Sequence, residues 1–324
     1  MNKQIEGLRW RPRWVSHLGC VKGCLDHLGV DVSWDWLYGG TAHAFAINIH
    51  KSVCPSGPTA WNYEMLFRLG TNLGYKVSCV FSSRHDDPDF ADKQTKAWIH
   101  VCNSLDDNIP CYGWELKMPE FYVIYGVDDE GYYYSGPGCD EGEGSKPWSE
   151  VGMSEIGILE IFSVERCEPV SDEKVVKNAL AFAIQHAKSP RKRDIPDYRS
   201  GLRAFDQWAA ALDEGMALRF GQGYNAAVWT ECREAAVGFL KEAKERLPGR
   251  ADALFDEAIG HYTIVYSKLK ALLDSYPFEP ASEDENKKLL KSPEGAALVR
   301  EAAVAEMNGL KVLDRLFDSI QCQV

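Results

Sequence analysis

The sequence predicts an α+β domain followed by an all-α helical bundle. Three observations carry that prediction. The first 165 or so residues change element type often and end in runs rich in Tyr, Val, Ile and Phe. The texture switches at residues 165–171. Beyond it, apolar residues recur at threes and fours, the spacing that lines one face of a helix.

In chain order, residues 14–40 (WVSHLGCVKGCLDHLGVDVSWDWLYGG) read as a loop that turns into a helix at Gly19-Cys20 and is stopped by Gly29. Ser33 can cap a short helical turn over residues 34–38, which Gly39 and Gly40 end. Residues 44–50 alternate, with Phe45, Ile47 and Ile49 on one face, as a strand does. Trp61, Met65, Leu69 and Leu73 form a helical stripe over residues 59–73, and residues 75–82 alternate again. Asp87-Pro88 starts a further helix. Strands follow at residues 109–116, 120–127, 132–135 and 155–164. The hairpin at residues 128–131 has Gly131 to supply a positive φ, and the Gly- and acid-rich residues 136–144 read as a loop. Antiparallel strands after early helices define an α+β domain over residues 1–168. Five helical stripes joined by short loops predict a bundle over residues 169–324.

Composition narrows the function classes. The 324 residues are 45% hydrophobic and 26% charged, the profile of a folded globular chain, with a formal charge of −12. An acidic chain is a poor match for nucleic acid, whose phosphates want a basic surface. The cluster Arg191-Lys192-Arg193 reads as a solvated loop. No run approaches the roughly 18 apolar residues of a membrane span, and residues 1–14 lack the apolar core of a signal peptide. The expectation is a cytoplasmic protein without membrane or nucleic-acid partners. In a reducing compartment most of its ten cysteines serve as small buried hydrophobes.

Cys20 stands apart. A cysteine in the first turn of a helix meets free N–H groups and the positive end of the macrodipole, which lower a thiol pKa. His17, Cys20, Cys24 and His27 follow at spacings of three, four and three. Ten residues of helix cover roughly 15 Å, too far for one ion to reach all four. No metal and no cofactor is expected. A nucleophilic Cys20 needs a base. His17 and His43 are candidates, a third coming from the resemblance below, while Trp114, Tyr112 and His43 could line a substrate site for a polar or cationic small molecule.

A cysteine opening an early helix, a Gly-Gly segment and the late hairpin at residues 120–137 (EFYVIYGVDDEGYYYSGP) together resemble the papain-like fold, in its bacteriocin-processing branch. They resemble still more the N-terminal domain of the butirosin-biosynthesis acyltransferase family. SGLRAFDQW at residues 200–208 and YNAAVWTECR at residues 224–233 are similar to that family's helical domain. The resemblance implies Cys20 as nucleophile, an acyl or amide small-molecule substrate, an amine acceptor and an acyl-carrier donor. The same comparison puts Glu120 at the family's histidine position, Gly136 where its aspartate stands, and Trp14 near its oxyanion-hole glutamine. Two functions follow. One is cysteine-dependent acyl or amide transfer with an altered triad of Cys20, Glu120 and His17. The other is a catalytically silent relative that binds a small molecule or assembles, with the helical seams able to carry a homodimer.

Overall fold

The computed structural model describes residues 2–61, 64–188, 195–279 and 282–320. In chain order they form β1 (Lys3–Gln4), α1 (Ser16–His27), α2 (Trp34–Gly40), β2 (Asn48–His50), α3 (Glu64–Gly70), β3 (Tyr75–Ser83) and α4 (Phe90–Asp106). Next come β4 (Cys111–Trp114), β5 (Phe121–Val127), β6 (Gly131–Gly136), β7 (Cys139–Pro147) and β8 (Ile158–Arg166). The remainder is α5 (Asp172–Ala187), β9 (Tyr198–Ser200), α6 (Leu202–Glu214), β10 (Ala217–Leu218), α7 (Arg219–Arg246), α8 (Asp252–Ser275), α9 (Glu283–Asn286), β11 (Leu289–Leu290) and α10 (Pro293–Ser319). The class is α+β with a mostly helical C-terminal part. Among the described residues no helix is long and apolar enough to cross a membrane.

Two compact units emerge. The first is Met1–Val32 with Leu73–Pro169, the second Ser33–Asn72 with Val170–Val324. The chain passes between them at Val32–Ser33, Asn72–Leu73 and Pro169–Val170. Ser33–Asn72, which the sequence reading places in the N-terminal domain, belongs to the second unit.

The first unit is an antiparallel sheet in the order β3-β8-β4-β5-β6-β7, with β1 also paired to β5. Helix α1 packs on β5, β4 and β8. It is buried almost all round, and the reason lies in its glycines. The strap Leu8–Arg11 lies against the helix and is tied to the sheet beside it, with Trp10 N donating to Ser135 Oγ at 2.8 Å and Arg9 over the Tyr125 ring. A Cβ at Gly19 would collide with the Trp10 indole, and one at Gly23 with the Arg9 carbonyl. Arg11 N donates to Gly19 O at 3.2 Å, Trp10 Nε1 to Ser16 O at 3.2 Å, and Arg11 Nε reaches Asp26 Oδ2 at 2.6 Å. Gly29 ends the helix as expected. With φ +66 it closes a Schellman motif in which Val30 N donates to Leu25 O and Gly29 N to Asp26 O.

Three local expectations need correction. Residues 139–147 form the edge strand β7, not a loop; its register on β6 shifts at Tyr132/Tyr134 and Tyr134/Gly136, which accommodates the extra residues. The 128–131 turn does not use a positive φ at Gly131. The Asp128 carboxylate holds it by accepting from Glu130 N and Gly131 N at 2.8 Å each, and Gly131 is required because Lys146 O lies against it. Residues 43–45 form a 3₁₀ turn, so the strand expected over 44–50 shrinks to β2.

The second unit is organised around α7, which packs against α2 and α8, while α10 packs against α8, α6 and α5. Ser33 caps α2 as the sequence implies, its Oγ accepting from Trp36 N at 3.0 Å. Short strands pair within the unit: β2 with β9, which takes the first three residues of the helix expected over 198–212, and β10 with β11. Arg233 is wholly buried and bidentate on Glu306 (Nε to Oε2 2.8 Å, Nη2 to Oε1 3.0 Å). Its Nη1 donates to Ala44 O and Ala46 O at 2.9 Å each, tying residues 44–46 to α7 and α10. The Arg191-Lys192-Arg193 cluster lies outside the described residues.

Two stability predictions follow from these contacts. Gly23→Ala should destabilise by about 1–3 kcal/mol, because the strap must move off the helix; an unchanged urea midpoint would show that the strap is not packed there. Glu306→Ala should cost about 3–5 kcal/mol by stranding a buried guanidinium, and a loss under about 1 kcal/mol in the same assay would show that water reaches Arg233.

Candidate functional site

The structure places the expected residues in different roles. Helix α1 begins at Ser16, so Cys20 sits in its second turn and not at the loop-to-helix junction. Its side chain is 0% exposed, and burial, then Cys24, then Glu120, push its thiol pKa well up. The conditions that make a cysteine reactive are absent at that position. Cys24, also wholly buried, is raised in the same direction by burial first.

The residue in the first turn is Ser16. Its Oγ donates to Glu120 Oε2 and accepts from Phe121 N at 3.2 Å. Glu120 sits at the start of β5, half-buried, and its backbone is fixed on both sides. Its N–H donates to Met118 O at 2.6 Å and its C=O accepts from Glu115 N at 2.8 Å. Ser16 and Glu120 are therefore one hydrogen-bonded pair at the N-terminal end of the buried helix. Sequence reasoning found Glu120 and missed Ser16. The signal that could have found it is the count back from Gly29, since a Schellman end at Gly29 and three turns of helix put the start near residue 16.

His17 faces the sheet. Its Nε2 shares a hydrogen bond with Tyr112 Oη at 2.9 Å, and its ring packs against Phe121, Tyr112 and Phe162 at centroid distances of 4.9, 5.4 and 6.3 Å. Burial lowers its pKa to about 3, so it is a neutral imidazole. Tyr112 is wholly buried, stacked on Phe162 at 4.6 Å with its hydroxyl engaged by His17. Both residues serve the packing of α1 on the sheet.

Trp114 ends β4 directly opposite Phe121, with ring centroids 4.9 Å apart. It is 6% exposed, and its Nε1 has no hydrogen-bond partner. Trp14, two residues before Ser16, and Met118, two residues before Glu120, are exposed. His43 belongs to the second unit, buried with its ring 6.3 Å from Tyr38 and 5.7 Å from Trp61.

Gly136, which stands where the resemblance expects an orienting aspartate, has no room for any side chain. A Cβ there would strike the Tyr122 ring, whose hydroxyl donates to Pro137 O at 3.2 Å. Among the described residues no group of three His, Cys, Asp or Glu side chains could hold a metal ion. A scan against protein-family models finds no match for this chain, and a search of curated proteins finds none.

The buried neutral His17 makes stability pH-dependent. The unfolded chain takes up a proton near pH 6.5 while the native chain resists it down to about 3. The depressed native value means that the stabilisation is present above about pH 6.5 and is lost as the pH falls towards 3. Urea midpoints at about pH 7.5 and about pH 4.5 should fall further in the wild type than in His17→Gln. Equal falls would mean that His17 ionises in the native state.

Proposed function

We propose that the first unit is a papain-like relative in which the cysteine step is silent, and that it binds an acyl- or amide-bearing small molecule with an amine group beside Glu120. The observation that carries this reading is the burial of Cys20 in the second turn of α1, with its thiol pKa raised. A nucleophilic sulfur must be accessible and partly thiolate at neutral pH. Cys20 is neither.

The ligand chemistry is argued from the neighbouring groups. A half-buried carboxylate fixed at its backbone and bonded to Ser16 offers an anionic partner to an ammonium group. Trp114 adds an unpaired N–H donor, which suits a carbonyl acceptor. An amine and a carbonyl in one small molecule match both. The resemblance to butirosin-type acyltransferase domains supports the same class of compound, since an amine acceptor and an acyl group are what that resemblance implies. The cysteine-dependent transfer that it also implies would need Cys20 to leave the core.

Iodoacetamide labelling followed by peptide mass spectrometry tests the silent step. Cys20 should react at least about tenfold more slowly than half-buried Cys102. Labelling of Cys20 at the rate of a free, low-pKa thiol would restore the cysteine mechanism. Binding is tested by titrating β-alaninamide, which carries both groups, against tryptophan fluorescence. Glu120→Gln should weaken binding about tenfold or more, and equal binding by the variant would remove Glu120 from the site.

A further inference from the structure

The sheet of the first unit ends in two edges that are built differently. β7 ends one side, with its register on β6 broken twice and Asp140, Glu141 and Glu143 along it. Broken register and charge keep an edge strand from pairing with another chain. β3 ends the other side and has neither protection. Its nine residues pair with β8 without a register shift, and it contains no proline. Its one charged side chain, Lys76, is drawn to Glu165 at 3.2 Å. The ladder with β8 shows which groups of β3 are left over. Cys167 N donates to Gly74 O at 2.8 Å and Arg84 N to Gly157 O at 2.7 Å, one at each end. Antiparallel bonds recur at every second residue, so Lys76, Ser78, Val80 and Ser82 give their backbone groups to β8. The N–H and C=O of Val77, Cys79 and Phe81 point to the open side, where no strand among the described residues pairs with β3. The side chains of these three share one face, on which Cys79 is exposed and Phe81 is 54% exposed.

We infer that β3 is a dimer edge, pairing antiparallel with β3 of a second copy of this chain about a two-fold axis at Cys79. The strand itself selects that occupant. A two-fold at Cys79 sets odd-numbered residues against odd-numbered residues, and those are the ones with unused backbone groups, so the ladder closes. On their face Val77 falls opposite Phe81 of the second copy, and Cys79 opposite Cys79, which makes one continuous apolar strip. On the other face Lys76 falls opposite Ser82 of the second copy. Ser82 Oγ donates to the Asp87 carboxylate at 2.6 Å, so each lysine arrives beside a carboxylate. Opposite charges meet at both ends of the pairing, and no like charges face each other. The contact uses the same patch on both copies and therefore stops at two. Only the guarded β7 edges are left at the ends of the joined sheet.

The test uses the full chain. Sedimentation velocity at about 100 µM should show a species of twice the chain mass that dissociates on dilution. Phe81→Lys puts a charge into the apolar strip, and Val77→Pro removes an N–H that only the second copy takes up. Each should weaken the dimer about tenfold or more. Both positions lie off the β8 ladder, and circular dichroism checks that each variant folds. A short bismaleimide should join two chains through Cys79, because facing residues of such a pair are about 5.5 Å apart at Cα. Cys79→Ser should abolish that cross-link and leave the dimer in place. Hydrogen exchange at the Val77, Cys79 and Phe81 amides should slow about tenfold between about 1 µM and about 100 µM protein. Three results would overturn the inference. They are a monomer at about 100 µM, exchange at those amides that ignores concentration, and a dimer that survives both Phe81→Lys and Val77→Pro with no cross-link at Cys79.

Discussion

The first unit depends on one constraint, the burial of α1 on two sides. The sheet takes one side of the helix and the Leu8–Arg11 strap takes another. Gly19 and Gly23, one turn apart, are the residues that let backbone and indole come that close. Once those two glycines face the strap, the helical period fixes every other side chain. His17 must meet the sheet, and Cys20 and Cys24 must enter the core. Ser16 is left at the end where β5 begins. The identity of the pair at the helix start is therefore a consequence of packing, and the thiol that looks reactive in the sequence is removed from reaction by the same packing.

The second unit rests on a different kind of contact. Arg233 is wholly buried, and four of its five donors are matched by a carboxylate and two backbone carbonyls. Residues 44–46 carry those carbonyls and cannot form a regular strand there, because their oxygens are committed to the guanidinium. This explains both the shortened β2 and the allegiance of Ser33–Asn72 to the helices that follow Val170. Nothing in the local sequence of residues 33–72 announces an arginine nearly 190 positions later. A contact of that range is invisible to periodicity.

What the sequence made legible is what local chemistry decides. Ser33 caps α2, Gly29 ends α1, and the apolar seam Ala258, Val265, Leu269 and Leu272 lies buried on α8. The strand run at 75–82 is the observed β3 with one residue added. What it hid is what tertiary contact decides. The start of α1 carries no capping side chain, since Val15 precedes it, so no cap marked residue 16 against residue 20. The acidic, glycine-rich residues 139–147 have a loop's composition, yet β6 offers them an open edge and register shifts absorb the glycines. At the site, Glu120 was reached through the resemblance, which sets it just ahead of the strand that begins at Phe121. Ser16 has no local pattern that sets it apart from an ordinary helix residue.

The pairing of a hydroxyl with a carboxylate at the helix start has an internal logic. A thiol beside a carboxylate is held in its neutral form, because like charge opposes the thiolate; Cys20, whose pKa Glu120 helps to raise, shows the direction of that effect at a distance. A hydroxyl has no such conflict. It is neutral as a donor, so the carboxylate that disables a cysteine can serve a serine as hydrogen-bond acceptor. An imidazole base needs a further group to fix its tautomer and its ring. A carboxylate has no tautomer to set, and the backbone bonds of Glu120 to Met118 and Glu115 fix where it begins. Serine at residue 16 and glutamate at residue 120 are thus a chemically consistent hydrogen-bonded pair.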